Sequence, residues 1–303
     1  MTTRPHILLS ADDHHDDDHD DHGGLHRDLL ATGESIGRRR ALRMAARWGA
    51  GFGASLGALS LFGCAGDVTG VSTDTGTGTS TGATPSTGVT GGACPTKIPE
   101  ETAGPYPGEG SNGPNVLNLT GIVRKDIRSS FAGLSGTAAG VPLSIELTLV
   151  SASTCAALAD YAVYLWHCDR AGNYSLYSQG VTNQNYLRGV QAADANGKLS
   201  FTSIYPGCYS GRWPHIHFEV YKSLTAATSV RNKIATSQLA LSKSASDLVY
   251  ATAGYEASVR NLSQITLATD NVFSDGSQLQ LASMTGNATS GYTAALTVAV
   301  SGV

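Results

Sequence analysis

The chain has 303 residues, 41% of them hydrophobic, with 24 acidic and 20 basic side chains and a formal net charge of −4. That supplies enough apolar material for a sizeable core. Beyond Cys64 the charges nearly balance, 15 Asp and Glu against 13 Lys and Arg, so no basic patch supports a nucleic-acid partner.

Residues 1–63 read as a targeting segment. It opens with DDHHDDDHDDH, Asp12 to His22, a solvated leader that cannot bury a core; loose metal binding is the other reading. In IGRRRALRMAARWGAGFGASLGALSLFGC, Arg38, Arg39 and Arg40 precede a mildly apolar Gly/Ala-rich stretch, the pattern of a twin-arginine export signal. Trp48 to Gly63 is short and weakly apolar for a spanning helix. It ends Leu61-Phe62-Gly63-Cys64, which resembles a bacterial lipobox, with Phe62 unusual at its place. The expectation is export by the twin-arginine route to the cell envelope, with lipid on Cys64 as the only tie to the membrane, or secretion. Residues 64–93 are Gly/Ser/Thr-rich and read as a flexible tether.

Residues 94–303 form the folded part, about 210 residues, a normal size for one β-rich domain. VLNLTGIVRKD, LSIELTLVSAS, YAVYLWHCD, KLSFTSIYP, HIHFEVYKS and YTAALTVAVSG read as strands between Gly, Asn and Asp turns. DANGK, Asp194 to Lys198, reads as a hairpin turn. ASDLVYATAGYEASVRNLSQ is the best candidate for helical turns. The fold class is mainly β, an antiparallel sandwich with long loops and few short helices, its site between loops and one sheet edge. Cys94, Cys155, Cys168 and Cys208 allow three disulfide pairings, among which the sequence does not choose.

The densest chemistry lies in FTSIYPGCYSGRWPHIHFEV, Phe201 to Val220. Side chains alternate along a strand, so His215 and His217 point the same way, about 6–7 Å apart at Cα, a spacing that suits two ligands on one ion. Glu219 shares that face but lies about 13 Å from His215 along an extended strand, too far to join it. No HExxH or CxxC occurs, which leaves tyrosines. Tyr209 sits on a turn broken by Pro206 and Gly207. A phenol ligates well only once a strongly charged cation strips its proton. A Tyr-plus-His site therefore points to ferric iron rather than zinc.

Five pieces, in this order and spacing, resemble the intradiol ring-cleavage dioxygenases, particularly their exported, single-subunit branch. They are ETAGPYP (Glu101 to Pro107), YLWHCDRAGNYS (Tyr164 to Ser175), YLRGVQAADANGKLSF (Tyr186 to Phe201), IYPGCYSGRWPHIHFEV (Ile204 to Val220) and TSQL (Thr236 to Leu239). The resemblance covers roughly Cys94 to Gln238 and implies non-haem Fe(III) held by Tyr174, Tyr209, His215 and His217. It makes Arg212 the active-site arginine and Gln238 a pocket residue beside it, with Tyr106 a candidate at the pocket mouth and Trp166 core. Arg188 and Gln191 are expected to brace the site. Two departures stand out: Cys208, where relatives often carry a bulky residue, and a short stretch between Tyr209 and Arg212.

The implied reaction cleaves a catechol between its two hydroxylated carbons with dioxygen to give a muconate-type diacid. In it, Tyr209 leaves the metal when substrate binds, and Arg212 stabilises charge on the ring. A monomer or weak oligomer is expected, since no added dimerisation segment is evident. The alternatives are a non-catalytic β-sandwich binding module and another His-based metalloenzyme using zinc or iron(II).

Overall fold

A computed structural model describes residues 93–303. The leader, the export signal, Cys64 and nearly all of the tether lie outside the described residues. Eight strands form two four-stranded sheets. The first has the order β4-β1-β8-β7, with β1 at Pro142–Ser151, β4 at Lys198–Ile204, β7 at Ser283–Asn287 and β8 at Gly291–Val300. The second has the order β3-β2-β5-β6, with β2 at Ala162–Trp166, β3 at Arg188–Ala192, β5 at His215–Tyr221 and β6 at Lys233–Ala240. Two short helices, α1 at Lys243–Tyr250 and α2 at Glu256–Ser263, follow β6. Ser242 caps α1, its hydroxyl accepting from the Ala245 N–H.

The two sheets bury different amounts of themselves. Along β1 every second residue is buried, so Leu143, Ile145, Leu147 and Leu149 enter the core while Ser144, Glu146 and Thr148 face outward. β2 and β5 are buried at every position, so both faces of the second sheet are covered. One face, carrying Val163, Leu165, Ile216, Phe218 and Val220, packs into the sandwich core. The other, carrying Tyr164, Trp166 and Tyr221, packs under a layer of loops that contributes Val116, Leu117, Ile122, Phe131 and Tyr174. Burial of one such large apolar side chain contributes about 1.5–3 kcal/mol.

Several expectations change at this level. The VLNLTGIVRKD stretch is not a strand. It turns at Val116–Leu119 and Leu119–Ile122, where N–H groups three residues on donate back to Val116 and Leu119. It makes only isolated bridges, Val123 with Val190 and Asp126 with Thr202. Its apolar residues are spent on the loop layer rather than on strand pairing. DANGK does turn the chain, with Gly197 at φ +74°, but the strands it joins, β3 and β4, enter different sheets. It is a crossover, not a hairpin. Pairing is antiparallel throughout except between β1 and β8, which run parallel. Strand β5 is interior, held by β2 and β6, so the histidines sit within a sheet rather than at its edge. Among the four cysteines only Cys94 and Cys155 are bonded, while Cys168 and Cys208 are buried thiols. No helix among the described residues is long and apolar enough to cross a membrane.

Candidate metal centre

Alternation along β5 sends His215 and His217 out of the sandwich core, into the space under the loops. Tyr174 arrives from the loop after β2 and Tyr209 from the segment between β4 and β5. Glycines let these loops meet. Gly172, at φ +92°, has no side chain, and a Cβ there would stand 3.0 Å from the Tyr209 Cβ. A Cβ on Gly207 would stand 2.6 Å from the Arg170 carbonyl oxygen.

Four side-chain atoms converge as a result. His215 Nε2 lies 3.1 Å from His217 Nε2, 3.4 Å from Tyr174 Oη and 3.3 Å from Tyr209 Oη. His217 Nε2 lies 3.2 Å from Tyr174 Oη. Adjacent ligands bound at about 2.0–2.2 Å to one ion stand roughly 2.8–3.6 Å apart. The set therefore fits a single metal ion, with two imidazole nitrogens and two phenol oxygens as donors. Among the described residues no group of three or more His, Cys, Asp or Glu side chains is placed to hold a metal, so the tyrosines complete the donor set.

Both imidazoles are held neutral. Burial, then the charge of Arg212, pushes His215 well below the usual histidine range. Burial, then His215 and Arg212, does the same to His217. His215 Nδ1 lies 2.5 Å from the Trp213 carbonyl oxygen, to which it donates, leaving the Nε2 lone pair facing the cluster. His217 Nδ1 has no hydrogen-bond partner. Its ring is held instead by Trp166, which thus has a part in the site beyond filling the core.

Arg212 is fully buried. Its Nε donates to Asp270 Oδ2 at 3.0 Å and its Nη2 to Gln238 Oε1 at 2.6 Å. Gln238 stands directly across from His217 in the β5–β6 register, and its amide donates to the Thr102 carbonyl. Tyr106 lies with its ring 5.0 Å from that of Tyr174 and 5.2 Å from that of Tyr177. Glu219 turns to Lys233 at 2.8 Å and Tyr221 at 2.6 Å, away from the histidines.

Arg188 ties the loops together: it donates to the carbonyls of Tyr106, Pro107 and Ser175, to the Ser175 hydroxyl and to the Tyr164 hydroxyl. Gln191 does not share that task; its amide contact is to the Val190 carbonyl. Sequence reasoning missed Asp270 and Tyr177, neither of which lies in the residues that carry the motifs.

A family model described as Dioxygenase matches residues 112–215, a span that includes Tyr174, Tyr209, Arg212 and His215. Among solved structures, the chain is similar to an intradiol ring-cleavage dioxygenase from Tetranychus urticae, at 22% identity over 68% of this chain and 95% of that one, with a TM-score of 0.53. A second dioxygenase crystal structure is similar at 23% identity over 69% of this chain and 95% of that one, with a TM-score of 0.54. These likenesses are of fold. Comparison with curated proteins finds no match. The family model thus covers about a third of the chain, and the fold is similar to that of an intradiol ring-cleavage dioxygenase.

Proposed function

We propose that the protein is a non-haem iron(III) dioxygenase that cleaves catechols between the two hydroxylated carbons. One observation carries the reading: two phenol oxygens and two imidazole nitrogens converge at 3.1–3.4 Å in a buried site. Tyr174, Tyr209, His215 and His217 would hold the ion. When bound, ferric iron supplies Lewis acidity toward the catecholate oxygens and a sink for electron density from the ring. The products keep both atoms of dioxygen, as a muconate-type diacid.

The side chains divide the remaining work. Burial holds His215 and His217 well below the usual histidine range, which favours the neutral rings whose lone pairs can ligate. Tyr174 is buried while Tyr209 is partly exposed on its loop, so Tyr209 is the phenol we assign to move aside and take a catechol proton. Arg212, a fixed cation beside both imidazoles, opposes negative charge that builds on the ring. Tyr106 forms one wall of the approach, against Tyr174. Dioxygen and a small-molecule catechol substrate are the partners.

We further place the protein in the cell envelope. Twin-arginine export would carry it there folded, and Cys64 would anchor it by lipid; Cys64→Ser should then release it from membranes.

Oxygen uptake across a panel of catechols, with product mass and metal analysis, tests the function. Iron-loaded protein should show a visible tyrosinate-to-iron band and yield a ring-opened diacid. Extradiol products, no turnover on any catechol, or full iron occupancy without that band would overturn the reading.

A further inference from the structure

Asp270 lies 58 residues beyond Arg212, fully buried. The geometry points to Asp270 as the positioning residue that fixes the Arg212 guanidinium for the ring-cleavage step. This rests on the reading of the site as a dioxygenase centre in which Arg212 meets substrate charge.

The carboxylate is itself immobile. Its Oδ2 accepts from Arg212 Nε at 3.0 Å and from the Trp213 N–H at 2.7 Å. Its Oδ1 accepts from the N–H groups of Val272 at 2.8 Å and Phe273 at 3.0 Å. Three of those four donors are backbone, so the carboxyl group cannot turn without breaking bonds to the chain. It presents Arg212 with one fixed acceptor.

Gln238 supplies a second at Nη2, and a planar guanidinium gripped at two nitrogens has its plane set. Trp213 joins the same arrangement to the metal cluster. Its N–H goes to Asp270 while its carbonyl takes the Nδ1 proton of His215. One carboxylate thus holds both the cation and, through the backbone of one residue, the histidine. A buried cation without its counter-ion would also be costly to the fold, so a purely structural pair is the rival account.

Asp270→Asn separates the two accounts. An amide keeps the shape but offers one acceptor oxygen, so two of the four N–H groups would face an NH2 group. On the iron-loaded full chain, Asp270→Asn should retain iron and lower kcat about 10–100-fold, with KM near the wild-type value. Combined with Arg212→Ser it should add nothing further, because both changes remove one unit. Losses that multiply in the double variant would overturn the proposal.

A second measurement needs no turnover and leaves Asp270 unchanged. In a proton–nitrogen spectrum of the wild-type chain, the Arg212 Nε–H, identified by its absence in Arg212→Lys, should exchange slowly with water. Exchange as fast as that of surface arginines would overturn the proposal. A protected Nε–H in a wild-type protein that cleaves no catechol would instead locate the failure in the dioxygenase reading.

Discussion

Trp166 lies flat on His217, the ring planes within 6° and the centroids 5.0 Å apart. They are direct neighbours in the β2–β5 register, so the stack is built into strand pairing. His215 is oriented by a hydrogen bond from Nδ1, whereas His217 has none and relies on this contact. Metal-ligating histidines ordinarily donate their second N–H to an acceptor. In the proposed centre His217 departs from that habit, and the indole face takes over the orienting role.

Removing the indole should therefore loosen the metal. Trp166→Leu is expected to weaken iron binding about 10–100-fold, while Trp166→Phe, which keeps a flat ring, should lose much less. Competition against a chelator, with the fold checked by circular dichroism, measures both. Equal affinity in the two variants would remove the stack from the account.

Arg212→Ser should leave iron bound and turnover crippled. A cation is no ligand, and loss of one preorganised electrostatic donor typically costs about 10²–10³ in rate. Arg212→Lys should recover only part, since an ammonium cannot engage both Asp270 and Gln238 as the planar fork does. Steady-state ring cleavage with iron content measured in each variant decides; near-normal turnover in iron-replete Arg212→Ser would make the residue structural only.

Arg188→Met should lower stability rather than chemistry alone. It deprives the carbonyls of Tyr106, Pro107 and Ser175 of a shared donor in a buried setting. The Pro107 carbonyl keeps the Tyr164 hydroxyl as a donor, so two carbonyls lose theirs; at roughly 1–3 kcal/mol each, a loss of about 2 kcal/mol or more is expected by urea denaturation. A change within about 0.5 kcal/mol, the range of ordinary surface substitutions, would contradict the bracing role.

His167 gives the fold a pH dependence separate from the metal. Burial pushes its pKa down to about 4, and its ring bridges the Cys168 carbonyl and the Ser203 hydroxyl, 2.7 Å from each. The folded value lies below the unfolded one, so the unfolded chain binds the extra proton as pH falls. Its contribution to stability is intact above about pH 6.5 and is lost by about pH 4, about 3 kcal/mol in all. His167→Gln should show a shallower fall in denaturation free energy over that window. An unchanged slope would assign the acid sensitivity elsewhere.

The parts legible in the sequence were those whose partners lie close along the chain. His215 and His217 share a strand face and Tyr209 lies six residues before the first, so their nearness was readable from spacing, while their role as ligands came from the resemblance. Tyr174 needed the family resemblance, because only folding brings the loop after β2 over β5. Asp270 had no such signal: it is one of 15 acidic residues beyond Cys64, in a segment without a motif, and its meaning comes from a contact with Arg212. VLNLTGIVRKD misled because its apolar residues satisfy a second core under the loops. That core cannot be told from the first by periodicity. The thiols of Cys168 and Cys208 were also invisible as such, since an even cysteine count says nothing of distance.

The C-terminal strand has a consequence for the order in which the molecule can be made. β8 is inserted between β1 and β7, so the first sheet has no complete hydrogen-bonded interior until the last dozen residues are present. β1 pairs with it in parallel, a contact that spans most of the domain. A nascent chain emerging from its N-terminus can gather the second sheet and the four convergent side chains early. Their supporting layer is incomplete until β8 is made. Formation of the finished centre is thus tied to the arrival of β8, and a product lacking that strand would expose the core-facing row of β1, Leu143, Ile145, Leu147 and Leu149, as a sticky surface.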